Sequence, residues 1–264
     1  MSHTRQTDRS FLRPFEQAPR PLVGYARDYD AGHDTGWHQH PRAQLLYAVA
    51  GVMRVVTRTA LFIVPPGTGL WVPAHAPHVT RMPAGLSMRA LFLREDAARA
   101  GPGRVTVVAV SALLRELIIA SCAEPVTWEE EGPVSHLVAL ALHEIGRAAT
   151  RPVSVPACND PRLKRVTEIL LANPADARGL EAFAALAGAS PRTLARLFRR
   201  ETGMSFQSWR RQLRLTEALA LLSQGTPPVR AAAAVGYRSS PAFGAAFRTA
   251  FGLTPGQSRL GDQA

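Results

Sequence analysis

Three of the chain's eight histidines fall within eight residues of the stretch GHDTGWHQHPRAQLLYAVAG, Gly32 to Gly51, and His38 and His40 stand two apart. Side chains alternate faces along a strand, so histidines at that spacing point to the same side. Facing inward from a barrel strand, they would supply two nitrogens to a metal, and a third imidazole from across the barrel would complete a three-nitrogen site. The cysteines offer no help. Cys122 and Cys158 belong to no CxxC pair, which argues against a disulfide framework or a cysteine zinc site.

A β-barrel is what the surrounding sequence predicts. From about Leu22 to Val110, short apolar or alternating runs (AQLLYAVA, MRVVT, ALFIV, LWVP, SMRALFL) are separated by Gly, Pro and charged residues, the pattern of an antiparallel barrel or sandwich. The texture then changes. VSALLRELIIASCA (Val110–Ala123) and VSHLVALALHEIGRAA (Val134–Ala149) carry apolar residues at three- and four-residue spacing and read as two amphipathic helices. The acidic run Glu129–Glu131 between them reads as solvated surface. TRPVSVPACNDP (Thr150–Pro161) reads as an interdomain linker, and everything beyond it as helix. The 264 residues suffice for two cores. The expected division is a flexible N-terminus (1–20), a barrel (21–109), a helical pair (110–149), a linker (150–159) and a helical domain (160–264). No stretch approaches a membrane span or a signal-peptide core, so a soluble cytoplasmic protein without membrane partners is expected.

Charge separates the two halves. Of 31 basic residues all but Lys164 are arginine; residues 158–264 hold 15 basic and 7 acidic side chains, whereas residues 1–157 hold 16 and 13. The positive field is thus concentrated where a polyanion would be drawn to the C-terminal part. Within it, LEAFAALAGASPRTLARLFRRETG contains a short apolar helix (Glu181–Ala187) ending at Gly188. Ser190 is the N-cap and Pro191 the first turn of a second helix. That is helix-turn-helix spacing. In the second helix Leu194, Leu197 and Phe198 share one side, and Arg192, Arg196, Arg199 and Arg200 the other. VRAAAAVGYRSSPAFGAAFRTAFGLTP repeats the pattern, with Gly236, a cap at Ser239 or Ser240, Pro241, and Phe243, Phe247 and Phe251 on the buried side. A connecting helix about 28 Å long holds the two units at a separation that suits successive major-groove segments of DNA.

With LARLFRRETGMSFQSWRRQLRLTEALALL and AVGYRSSPAFGAAFRTAFGLTPGQSR on the page, residues 160–260 resemble the DNA-binding domain of AraC/XylS-type transcription regulators, seven helices with two helix-turn-helix units. The resemblance implies that Arg192, Thr193 and Arg196 lie near base edges. Arg199, Arg200, Arg210 and Arg211 are assigned to phosphate or to packing along the connecting helix. The second unit departs from the family pattern: Ser240, Pro241, Ala242, Gly244 and Ala245 lack reach. It is therefore expected to position the protein on phosphate through Ser240, Arg238 and its helix start.

The histidine stretch likewise resembles the first cupin motif, from Gly32 through His38, His40 and Gln44 to Gly51, with Gln44 where the family has glutamate. Gly67, Pro73 and His78 resemble the second. The implied metal set is His38, His40, His78 and Gln44, suited to zinc, nickel, copper or ferrous iron; losing the glutamate charge implies weaker binding. The other reading is a metal-free sensing cavity. Trp37, Tyr47 and Trp71 are candidate pocket walls, although aromatic residues in a small barrel are usually core. His75 reads as a surface turn, and His33, His136 and His143 as ordinary residues.

The expected protein is an α+β multidomain chain: a cupin-like sensor barrel, a helical pair that supports a homodimer, and an all-α tandem helix-turn-helix reader of double-stranded promoter DNA. Its effector would be a small molecule or metal ion. The alternative is a metal-dependent cupin enzyme, a dioxygenase or isomerase, fused to a DNA reader.

Overall fold

The computed structural model describes residues 10–65, 67–99, 101–151 and 154–259. The chain divides into two compact units. Val56–Ile63 groups with the residues after Val153, and the other described residues up to 151 form the N-terminal unit.

Along the first part run α1 (Arg13–Glu16), β1 (Leu22–Tyr29), β2 (His33–Asp34), β3 (Ala43–Ala50), β4 (Met53–Thr57), β5 (Ala60–Val64), β6 (Thr68–Val72), β7 (His78–Met82) and β8 (Leu86–Leu93). Then follow α2 (Glu95–Ala98), β9 (Thr106–Ala109), α3 (Ala112–Ala123), α4 (Pro133–Arg147), β10 (Thr150–Arg151) and β11 (Ser154–Pro156). One sheet has the order β1-β8-β3-β6-β9-β10, and β4, β7 and β2 are neighbours in a second.

Strand alternation decides which side chains meet a cavity and which meet helices. Leu45 of β3 pairs with Leu91 and Trp71, and Leu46 with Ala90 and Leu70, so the two faces stay in register across three strands. The Leu45 face, with Tyr47 and Trp71, packs in one cluster with Leu114, Ile118 and Ala141 of α3 and α4. Each helix contributes a stripe at three- and four-residue steps, Leu114, Leu117, Ile118 and Ser121 from α3 and Val138, Ala141 and Ile145 from α4. Ser111 starts α3 by accepting the Leu114 N–H. Helix and sheet approach so closely at β1 that a Cβ on Gly24 would stand 2.2 Å from the Ser121 carbonyl oxygen.

One expectation about a connecting segment is corrected. The N-terminus is not loose over residues 10–20: Leu12 and Ala18 are buried, and the buried Arg42 guanidinium ties this stretch down. Arg42 donates to the carbonyls of Glu16 (3.2 Å), Arg20 (2.9 Å), Phe92 (3.4 Å) and Ala18. Burial lowers its pKa, and the carbonyls compensate the lost hydration. Residues 1–9 lie outside the described residues. The expected linker, 150–159, holds the division between the two units, and its described residues also pair: Thr150 with Val108 in the N-terminal unit, and Val155 with Leu61 within the second.

The C-terminal unit continues with α5 (Pro161–Ala172), α6 (Leu180–Leu186), α7 (Pro191–Thr202), α8 (Phe206–Ser223), α9 (Pro228–Ala234), α10 (Ser240–Phe251) and α11 (Pro255–Arg259). Side-chain caps start four of them: Asp160 for α5, Ser190 for α7, Ser205 for α8 and Ser239 for α10. Glycines in the left-handed region, Gly203 and Gly252, end α7 and α10. Phe183, Leu194, Leu197, Phe198 and Trp209 are buried around the first helix pair, and Ala231, Val235, Phe243 and Phe247 around the second.

Candidate functional site

In the N-terminal unit, His38 lies opposite His78 as an isolated antiparallel bridge, with His38 N–H donating to the His78 carbonyl at 2.9 Å and the reverse bond at 2.8 Å. The His75 N–H donates to the His40 carbonyl at 2.8 Å, which fixes the second histidine beside the same loop. The rings gather accordingly: centroids are 4.1 Å apart for His38 and His78, 5.2 Å for His40 and His78, and 6.0 Å for His38 and His40. One ring nitrogen from each falls within 4.8 Å of the others, with His40 and His78 buried and His38 half-buried.

Each Nδ1 faces a backbone carbonyl. His38 Nδ1 lies 2.9 Å from the Gly36 carbonyl, His40 Nδ1 2.6 Å from that of Arg42, and His78 Nδ1 2.9 Å from that of Ala76. A carbonyl only accepts, so the Nδ1 of His38 and of His78 carries the proton and donates it; His40 faces a carbonyl at Nδ1 and the Gln44 amide oxygen at Nε2, so both of its ring nitrogens meet acceptors. Metal-ligating histidines are oriented by such outer contacts. Gln44, on the inward face of β3, brings its amide oxygen 2.8 Å from His40 Nε2. Three imidazoles and an amide oxygen fit a divalent transition ion, and bound there it would supply Lewis acidity or an anchoring point for a ligand donor atom. His40 also packs edge-on to Phe92, so this end of the site is apolar.

A cavity of about 130 Å³ opens beside His38, His78 and Gln44. Its walls come from strand positions that alternate with the helix-facing ones, among them Tyr25, Arg27 and Tyr29 of β1 and Met88 of β8. Phe11 and Leu12 from the N-terminal turn also line it. The expected aromatic walls are corrected here. Tyr47 and Trp71 face α3 and α4 on the opposite side of the sheet, Trp71 donating its indole N–H to Pro102, and Trp37 is 56% exposed; none lines the cavity. Parity carries the signal that was missed: Gln44 and Tyr47 are three apart, so a strand cannot turn both inward. His75 is exposed in a turn at φ 60°.

In the C-terminal unit, Ser190 caps α7 by accepting the Thr193 N–H at 3.1 Å, and the two hydroxyls lie 2.9 Å apart, so Thr193 is turned into the cap. Arg192, Arg196 and Arg199 project from the exposed side of α7, and among the described residues no ion pair engages them. Arg200 differs: it pairs with Glu201 at 3.2 Å and lies 3.9 Å from Asp160, which draws it toward its own unit. Arg210 packs along α8, donating to the Arg178 carbonyl at 2.7 Å and stacking over Phe206, while Arg211 stays exposed. In the second helix-turn-helix Ser239 takes the cap, which leaves Ser240 exposed in the first turn of α10, with Arg238 exposed just before it. No helix among the described residues is long and apolar enough to cross a membrane.

Comparison with known proteins agrees with both halves. The AraC-like ligand binding domain family matches residues 21–154, and a helix-turn-helix domain family matches residues 183–260. The HTH-type transcriptional regulator NimR of Escherichia coli (strain K12) is 31% identical over 220 residues, covering 83% of this chain and 80% of that protein. The HTH-type transcriptional regulator RipA of Corynebacterium glutamicum is 39% identical over 113 residues, 42% of this chain and 34% of that protein. Among solved structures, the C-terminal domain of AraT from Geobacillus stearothermophilus is 30% identical over 38% of this chain and 84% of its own, with a TM-score of 0.36. The chain belongs to the AraC family of transcription regulators, with an AraC-like ligand-binding domain ahead of a helix-turn-helix DNA-binding domain.

Proposed function

We propose that this regulator senses its effector at a divalent metal held by His38, His40 and His78, with Gln44 as a fourth, neutral donor. The observation that carries this reading is the convergence of three imidazoles: one ring nitrogen of each lies within 4.8 Å of the others, and each Nδ1 faces a backbone carbonyl that orients its ring. Zinc, nickel, copper and ferrous iron all suit the donors. The effector acts by differential affinity for the DNA-binding and non-binding states.

On the DNA side, Arg192 and Arg196 read base edges, Arg199 and Arg211 contact phosphate, and α10 positions the protein through Ser240 and Arg238. Arg200 and Thr193 support α7 from within rather than reading bases. Two chains pair through α3 and α4, whose outer surfaces expose Leu113 and Leu140. The protein works in the cytoplasm as a regulator and not as an enzyme; the relatives are transcriptional regulators, and among the described residues no carboxylate lines the cavity to serve as acid or base.

The test is elemental mass spectrometry on untagged protein purified without chelator, beside a His38→Ala, His40→Ala control. About one metal per chain, lost in the control, is expected. No metal after dialysis against zinc, nickel and ferrous iron would overturn the metal and leave a sensing cavity lined by histidine.

A further inference from the structure

The cavity's composition narrows what it can hold. Its volume, about 130 Å³, is close to the roughly 150 Å³ apolar cavity that takes up benzene, so one six-membered ring fills it and a long chain or fused polycycle does not fit. Phe11, Tyr25 and Tyr29 bring aromatic rings to the lining, and Leu46 and Met88 bring aliphatic side chains. Planar ring against planar ring is the packing such walls favour.

Charge narrows it further. Among the described residues, Arg27 is the only arginine or lysine on the lining, and no aspartate or glutamate lies there. Its guanidinium stacks 4.6 Å over the Phe11 ring and 5.1 Å over Tyr29, and among the described residues no ion pair engages it. Stacking uses the faces of the guanidinium and leaves its N–H fork in the plane, where it matches a carboxylate. Arg27 is exposed at the cavity edge, and its hydrogen-bonding interaction with Tyr25 raises its pKa. Nearby Asp28 is drawn to Arg89, at 3.6 Å.

We infer that the effector cavity takes a single-ring aromatic carboxylate, its ring among Phe11, Tyr25 and Tyr29 and its carboxylate on Arg27. This rests on the cavity being the effector site but not on the metal. In metal-free protein, neutral and cationic analogues of the same ring are discriminated by Arg27: the neutral one loses the ionic contact, and the cationic one meets a like charge.

Calorimetric titration of the full-length protein with benzoate, benzamide and benzylamine tests this, using wild type, Arg27→Gln and Phe11→Ala. Benzoate is expected to bind wild type at least about tenfold more tightly than benzamide, which is about 1.4 kcal/mol, and benzylamine more weakly still. Arg27→Gln should bring benzoate down to the benzamide level while leaving benzamide unchanged, and Phe11→Ala should weaken both. Equal binding of benzoate and benzamide, a benzoate preference that survives Arg27→Gln, or binding of none of the three overturns the inference. The titrations use protein freed of metal with chelator, because a bound ion would itself draw the carboxylate; the metal content then fails or holds separately. Arg27-dependent benzoate binding that leaves operator affinity unchanged would support the ligand class and count against the sensing role instead.

Discussion

His38 and His78 come from separate segments yet exchange two backbone hydrogen bonds, 2.9 and 2.8 Å, which bring their rings to 4.1 Å between centroids. Position is therefore set by backbone pairing rather than by the rings themselves. His78→Ala should abolish stoichiometric metal uptake while far-ultraviolet circular dichroism and the unfolding midpoint stay close to wild type. His75→Ala, exposed in its turn, should keep the metal. Metal retained in His78→Ala would remove that residue from the ligand set.

Arg196 is exposed on α7 and, among the described residues, engaged by no ion pair, whereas Arg200 is drawn to Glu201 and Asp160. Arg196→Ala should cost about 1–3 kcal/mol of operator binding and relax preference at one base pair. Arg200→Ala should change operator preference little. Competition binding against a library of single-base operator variants reads both; a loss for Arg196→Ala that is uniform across sequences would make it a phosphate contact.

Arg42 ties residues 16–20 to the barrel through buried carbonyls. Arg42→Met keeps much of the side-chain volume and leaves those acceptors unpaired, so urea unfolding should report a loss of about 2–3 kcal/mol. Protease cleavage between residues 10 and 20 should become faster. Unchanged stability would mean that water replaces the guanidinium there.

Gly24 meets the Ser121 carbonyl where a Cβ would be 2.2 Å away. Gly24→Ala should destabilise by about 1–3 kcal/mol through overpacking of α3 on β1. Gly103→Ala, with nothing within 4 Å, is the control and should stay within about 0.5 kcal/mol of wild type. Thermal unfolding of the two variants side by side decides it.

Asp160 caps α5 and pairs with Arg162 at 2.8 Å. The Arg162 hydrogen bond, the Arg162 backbone N–H and the charge of Arg200 together hold its carboxyl at about 2 rather than 3.8. A depressed carboxylate pKa contributes stability that is complete above the unfolded value and lost as pH falls through the folded one. The stability difference between wild type and Asp160→Asn should therefore shrink from about pH 4 to about pH 2. A difference that stays constant over that window would show that the charge contributes nothing.

Local signals in the sequence determined much of this protein. Ser190, Gly188 and Pro191 act within one turn of chain, and so do Ser239 and Gly236, so both helix-turn-helix units were legible from caps and breakers. The pairing of His38 with His40 was legible from their spacing, but not for the expected reason: neither lies on a strand, and His38 is held by an isolated bridge to His78 ahead of β3. The tertiary structure decided what depends on which face meets what. Tyr47 and Trp71 could be placed only once the register put them with Leu45 against α3 and α4, and Arg27 became a cavity residue only once β1 paired with β8. Likewise, nothing local to Arg42 marks it as the clamp on residues 16–20, and nothing local to Arg200 sends it to Asp160. Those partners are distant in sequence, and a long, flexible side chain adopts one of many rotamers according to the acceptors that folding brings within reach.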